Sequence, residues 1–254
     1  MPEDAAVLDA FYRRHDFVLA EVERYVNGAW ASLSAYDEAQ VAEFAAAIEA
    51  FLPAAQQTVA SSVDAMVALM TESSPVGVPA GLVTNVRGIP TAEEFRRPFI
   101  QLWGGLRDGG DYLDLVAKAG DRAAKMAVTD TQIAMRSAMD HVASKNPQVV
   151  GYRRVLTPPS CMFCAAAATK TYGGRHLMPL HTSCDCKVAP IIGTRDPGKV
   201  ANQQLLENLK AQGPDYWKKK GFVDSHGLPL DPTKVGELPV RVSHGDIGLI
   251  LETT

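Results

Sequence analysis

The sequence predicts an α+β protein: a helical N-terminal half with long helices, followed by a small mixed α/β C-terminal domain built on a zinc-binding CxxC…HxxCxC clip. Three observations carry this expectation. Apolar residues recur at three- and four-residue intervals through most of the first 145 positions, the period of an amphipathic helix. Strand-type segments appear only after Pro147. All four cysteines of the 254-residue chain fall between positions 161 and 186. A boundary near residue 147 therefore separates a helical domain, 1–147, from a second domain, 148–254.

The helical half reads as follows. Residues 4–27 carry Ala, Val, Leu, Phe and Tyr on one face, with Arg, Glu and Asp between them. Asp37 caps a second helix, and Gln40 three residues later completes a capping box. That helix runs through Val41, Phe44, Ile48 and Leu52, until Pro53 kinks or restarts it. The stretch from Ser73 to Pro90 holds Pro75, Gly77, Pro79, Gly81, Gly88 and Pro90, so it reads as a loop or an extended arm. Its length suits a binding or packing arm as well as a mobile loop. Thr91 and Glu94 form a second capping box, opening a helix through Phe95, Phe99, Leu102 and Trp103 that Gly104-Gly105 and Gly109-Gly110 interrupt. From Asp111 to Lys145 one helix of about 50 Å fits the pattern, ended by Asn146-Pro147. Its stripe is Ala-rich, which suits close helix packing in a core or an oligomeric seam.

In the second half, Tyr152–Thr157 is a strand candidate by its Tyr, Val and Thr content. A short Ala-rich helix follows at 165–170, then a strand at 187–192, an amphipathic helix at 200–212 and a last strand at 238–242.

Composition narrows the function. The net charge of −4 lacks the basic excess of a general nucleic-acid binder. Trp217-Lys-Lys-Lys220 combines a ring with charge, which allows a weak DNA contact but more often marks a solvated helix end. Every apolar stretch is short and broken by charge, so no membrane contact is expected. The acidic start, Met1-Pro2-Glu3-Asp4, does not resemble a secretory signal, and a cytoplasm in which thiols stay reduced is the expected place of folding.

In that setting the cysteine cluster argues for metal before disulfide. Cys161-Met-Phe-Cys164 lets two thiolates face one ion from a tight turn, and His181-Thr-Ser-Cys184-Asp-Cys186 closes a tetrahedron. Five candidate ligands, Cys161, Cys164, His181, Cys184 and Cys186, compete for four positions. Spacing alone does not separate Cys184 from Cys186. Four protein ligands make a closed, structural zinc site with no open position for water. His15, His141, His226 and His244 each stand alone and read as surface or satisfied core residues. The glycines of His244-Gly-Asp-Ile-Gly248 suit tight turns.

Signs of catalysis are lacking. No GxSxG, HExxH or Walker pattern occurs. His181, Ser183 and Asp185 have the residue types of a triad but lie too close in sequence for its geometry. Cys161 paired with His176 or His181 is conceivable as a nucleophile, but a zinc-bound thiolate is not free to attack.

Arg154-Val155, Cys161-x-x-Cys164, Tyr172, Leu177-Met178-Pro179 and His181-x-x-Cys184-Asp-Cys186 together resemble the C-terminal motif of MuF-like phage minor head proteins. The closing His244–Gly248 resembles the tail of actinobacteriophage members, often described as capsid maturation proteases or MuF-like minor capsid proteins. The specific likeness covers about residues 150–195. Thr182 and Asp185 depart from the Pro and Arg that many members carry there, which puts any arginine-dependent role in doubt. The resemblance implies a virion protein for head morphogenesis, located in the head interior or at the portal vertex after assembly in the host cytoplasm. It implies contact with the portal protein or the major capsid protein, possible oligomerisation in the virion and, in some members, ejection with the DNA. It makes residues 1–147 a docking and assembly domain. The alternatives are a capsid maturation protease, for which no catalytic residue can be placed, and an unrelated zinc-stabilised binding module.

Overall fold

A computed structural model describes residues 2–157, 162–172, 184, 186–219, 222–223, 227–235, 240–245 and 248–253. The protein is mostly helical, with a small three-stranded antiparallel sheet and a separate two-stranded hairpin. The helices are α1 (Pro2–Ala31), α2 (Glu38–Thr71), α3 (Thr91–Phe95), α4 (Arg97–Arg107), α5 (Tyr112–Lys145), α6 (Met162–Ala168), α7 (Pro197–Ala211) and α8 (Pro214–Lys219). The strands are β1 (Val149–Val155), β2 (Thr171–Tyr172), β3 (Lys187–Ile192), β4 (Val240–Gly245) and β5 (Gly248–Thr253). No described helix is long and apolar enough to cross a membrane.

Contacts divide the chain into two units, each assembled from separate stretches. One comprises Met1–Tyr12, Asp64–Val76 and Met139–Thr254; the other comprises Arg13–Val63 and Gly77–Ala138.

The second of these is a helical unit. Its α2 stripe, Val41, Phe44, Ile48 and Leu52, is buried as the period requires. Asp37 caps α2 by accepting from Gln40 N at 3.1 Å. The Gln40 side chain reaches past the capping-box position, and its Oε1 accepts from the backbone of Ser34, Ala35 and Tyr36. Pro53 lies inside α2 without ending it. The expected capping box at Thr91 does not form: Pro90 occupies the N-cap, and Glu94 turns inward to Arg87. The break comes at Arg96, because Pro98 has no N–H to continue the ladder. Gly104-Gly105 sit within α4, and the chain leaves the helix at Gly109 with φ 82°.

Trp30 anchors the aromatic core, 4.8 Å from the Phe99 ring and edge-on to Phe44 at 5.4 Å. Its Nε1 donates to Val116 O on α5. Gly120 faces it so closely that a Cβ there would stand 2.6 Å from Trp30 Cδ1. The Ala-rich stripe of α5 is a core seam: Ala119, Ala123, Ala124, Ala127 and Ala134 are all buried.

In the other unit the sheet has the order β2-β1-β3, all antiparallel. Tyr152 faces Pro190, and Val155 faces Lys187. Pro190 is tolerated because β3 is an edge strand and loses no ladder bond on its open side. Helix α7 lies on this sheet through Gly198, where a Cβ would meet Ala189, Val155 and Arg153 at 3.1–3.4 Å. The ends of the long helices that belong to this unit are tied to it. Tyr12 Oη donates to Val188 O, and the Arg195 guanidinium donates to both Asp4 carboxylate oxygens and to Met70 O. Asn146 closes α5 by donating to Thr71 and Ser73 and accepting from Gln148 N. Gly245 and Gly248 close the β4–β5 hairpin.

Candidate metal centre

Three buried cysteines converge in the core of the sheet-bearing unit. Cys164, Cys184 and Cys186 are 3%, 0% and 2% exposed, and their sulfurs all lie within 4.8 Å of one another. Cys164 Sγ stands 3.6 Å from Cys184 Sγ. Thiolates bound to one tetrahedral ion at about 2.3 Å stand about 3.8 Å apart, so the spacing fits a common soft cation. A disulfide needs about 2.05 Å, and none of these three cysteines forms one.

Local folding explains the convergence. Helix α6 carries Cys164 next to Ala165–Ala168, four small residues that are all buried and let the helix approach its neighbours closely. Cys186 immediately precedes β3, whose first residue pairs with the end of β1. Both Cys184 and Cys186 lie within reach of Cys164. Leu156, Leu206, Phe222 and Val235 complete the apolar shell, with Leu205, Leu209, Trp217 and Leu230 packed around it. Trp217 thus belongs to this core, and its Nε1 donates to Leu209 O at 2.7 Å.

Two side chains that motif reading did not single out hold the cluster's frame. Asn202, buried on α7, accepts from Leu156 N at 2.8 Å and donates to Arg154 O at 2.6 Å and Ala168 O at 3.1 Å. Its amide continues the hydrogen bonding of β1 where no strand follows and fixes the end of α6 at the same time. Arg153 Nη1 donates to Ala168 O, Thr169 O and Lys170 O, the unsatisfied carbonyls at the α6 terminus. Its other face grips Asp196, whose Oδ1 also caps α7 by accepting from Lys199 N. A polar Asn among Leu205, Leu206 and Leu209 on an amphipathic face was the available signal for the first, and Asp196-Pro197 was an overlooked helix start. A cavity of about 420 Å³ opens beside this frame, lined by Arg153, Asn202, Lys199 and Glu207 among others. The amide and guanidinium at its base are already bonded within the protein.

The Cys186 thiol is held protonated when no cation is present. The hydrogen bond with Cys164 lowers the Cys186 pKa. The bond with Cys184, burial and the charge of Cys184 outweigh it, so Cys186 is pushed up to about 12 despite the attraction of Arg154. Arg154 itself is buried, with its guanidinium 5.7 Å from the Tyr172 ring centre.

Cys161 and His181, the other two candidate ligands, lie outside the described residues, as do His176, Ser183, Asp185 and His226. The described residues show a three-cysteine cluster close enough to hold a metal ion. His15 is buried. Compared with protein-family models, curated proteins and solved structures, the chain matches none.

Proposed function

We propose that this chain is a minor capsid or head-morphogenesis protein of a tailed phage, structural in role, with one zinc ion holding its C-terminal fold. The supporting observation is that Cys164, Cys184 and Cys186 of the MuF-like motif come together in one buried cluster. Zinc suits three sulfur donors in a closed apolar shell, where a catalytic ion would need an open position. Cys161 or His181 supplies the fourth ligand. Bound zinc holds the sulfurs as thiolates and cross-links the α6 region to the start of β3. The helical unit provides the surface for the portal protein or the major capsid protein, in the head interior or at the portal vertex.

Two measurements test this reading. Elemental analysis of purified protein is expected to give close to one equivalent of zinc, lost in Cys164→Ser and Cys184→Ser. Co-expression with the portal and major capsid proteins is expected to yield a stable complex without cleavage. Less than half an equivalent of metal, unchanged by the substitutions, overturns the zinc assignment. A defined cleavage of the major capsid protein, abolished by a single side-chain change in this chain, replaces the structural role with the protease.

A further inference from the structure

We propose that Arg87, Glu94 and Asp130 form a proton-operated latch that holds the segment from Gly77 to Pro90 on the helical unit. Arg87 comes from the segment, Glu94 from α3 and Asp130 from α5. Arg87 Nε donates to Asp130 Oδ1 at 2.6 Å and lies 2.5 Å from Glu94 Oε1, so two carboxylate oxygens crowd one nitrogen. The three side chains are 12%, 7% and 3% exposed, with the acids the more deeply buried. Two carboxylates against one guanidinium leave an excess negative charge in a place that water does not reach. Burial of such a charge is costly, and the simplest relief is one retained proton.

The pairing is also incompletely satisfied. Arg87 Nη2 has no hydrogen-bond partner among the described residues, and Glu94 Oε1 meets Arg87 Nε as an ion pair without hydrogen-bond geometry. A network in that state is easily tipped. The charges that act on Asp130 are those of Arg87 and Glu94; burial and Glu94 raise its pKa well above the ordinary carboxylate value, and Arg87 opposes them. Losing the shared proton sets two buried negative charges side by side, and swinging Arg87 outward lets water reach them.

Val83 is the segment's one buried side chain, and Leu82 stands 47% exposed. Gln57 Nε2 donates to Val78 O at 3.1 Å. Gly77 and Gly88 both have positive φ, 80° and 68°, and nothing crowds either position. They are natural hinges at the two ends of the strap. Release would free Val83 beside the already exposed Leu82, and so create an apolar arm.

Limited proteolysis of the full chain with proteinase K, from pH 5.5 to 9.5, tests the latch. Mass spectrometry follows cleavage within residues 77–90, and each rate is divided by that of the same segment as a free peptide. Beyond its onset, wild-type cleavage is expected to rise by up to about tenfold per pH unit, the dependence of one released proton. Asp130→Asn and Glu94→Gln each remove the need for that proton and are expected to hold cleavage low and flat. Arg87→Met removes the latch from the strap and is expected to be cleaved fast at every pH. Circular dichroism shows which variants stay folded. A flat wild-type profile overturns the proposal. So does a rise that persists in either acid variant that remains folded, or slow, pH-dependent cleavage of Arg87→Met.

Discussion

Asn202→Ala isolates the frame from the metal, because the amide makes three buried hydrogen bonds and no contact that coordinates an ion. A net bond contributes about 1 kcal/mol, and a buried group left without a partner costs about 1–3 kcal/mol. The substitution strands one N–H, of Leu156, and one carbonyl, of Arg154, while Ala168 O keeps the bond from Arg153 Nη1. A carbonyl tolerates a missing partner better than the N–H does, so the expected loss is about 2–4 kcal/mol. At about 2–4 °C per kcal/mol for a chain of this size, the melting temperature falls by roughly 10 °C. Gln203→Ala, at the exposed neighbouring position of α7, is the control and is expected to change little. Urea unfolding of metal-loaded protein gives the free energies, and elemental analysis gives the metal content. A loss below about 1 kcal/mol, within reach of a single net bond, refutes the idea that this amide substitutes for strand pairing at the end of β1.

Two further perturbations bear on other parts of the fold. In metal-free protein the Cys186 thiol is raised from an ordinary value near 9 to about 12. A raised acid contributes stability that is complete below the unfolded pKa and is lost as pH climbs through the folded one, so urea midpoints are expected to fall from about pH 9 upward. Cys186→Ser should flatten that decline, and an equally steep decline in the variant would remove its cause. Gly120→Ala pushes a methyl group against Trp30 and is expected to cost about 1–3 kcal/mol by overpacking. Thermal unfolding and tryptophan fluorescence measure it, and an unchanged midpoint would mean that the indole moves freely.

Helical periodicity made the long elements legible, because a stripe such as Val41, Phe44, Ile48 and Leu52 has one way to be buried. The pattern starts the long helix at Asp111, and in the structure Asp111 stands one residue before α5 and accepts from Asp114 N. Local rules failed where tertiary contacts competed. Glu94 satisfied the capping pattern in sequence, but a buried guanidinium offered it a stronger partner than an N-terminal amide. Pro53 carried a strong local signal, yet helix packing kept α2 continuous. At the candidate metal centre, residue type and spacing pointed to Cys164, Cys184 and Cys186, which the fold brings together, since few roles require clustered cysteines. Arg153 and Asn202 were hidden because each works by meeting backbone that is remote in sequence. The |i−j| of 43–48 to Asp196, Leu156 and Arg154 leaves no periodic trace.

The order of the cysteines along the chain sets a folding sequence. Cys164 and Cys184 are twenty residues apart, and both precede β3. Closing such a loop costs about 3 kcal/mol in chain entropy before any strand contact repays it. Once the sulfurs have met, Lys187 is already beside Val155, and the remaining pairs to Val149 can zip up one after another. A nascent chain would therefore form this sheet from its cysteine end, and the cluster would serve as a starting clasp before it serves as a brace.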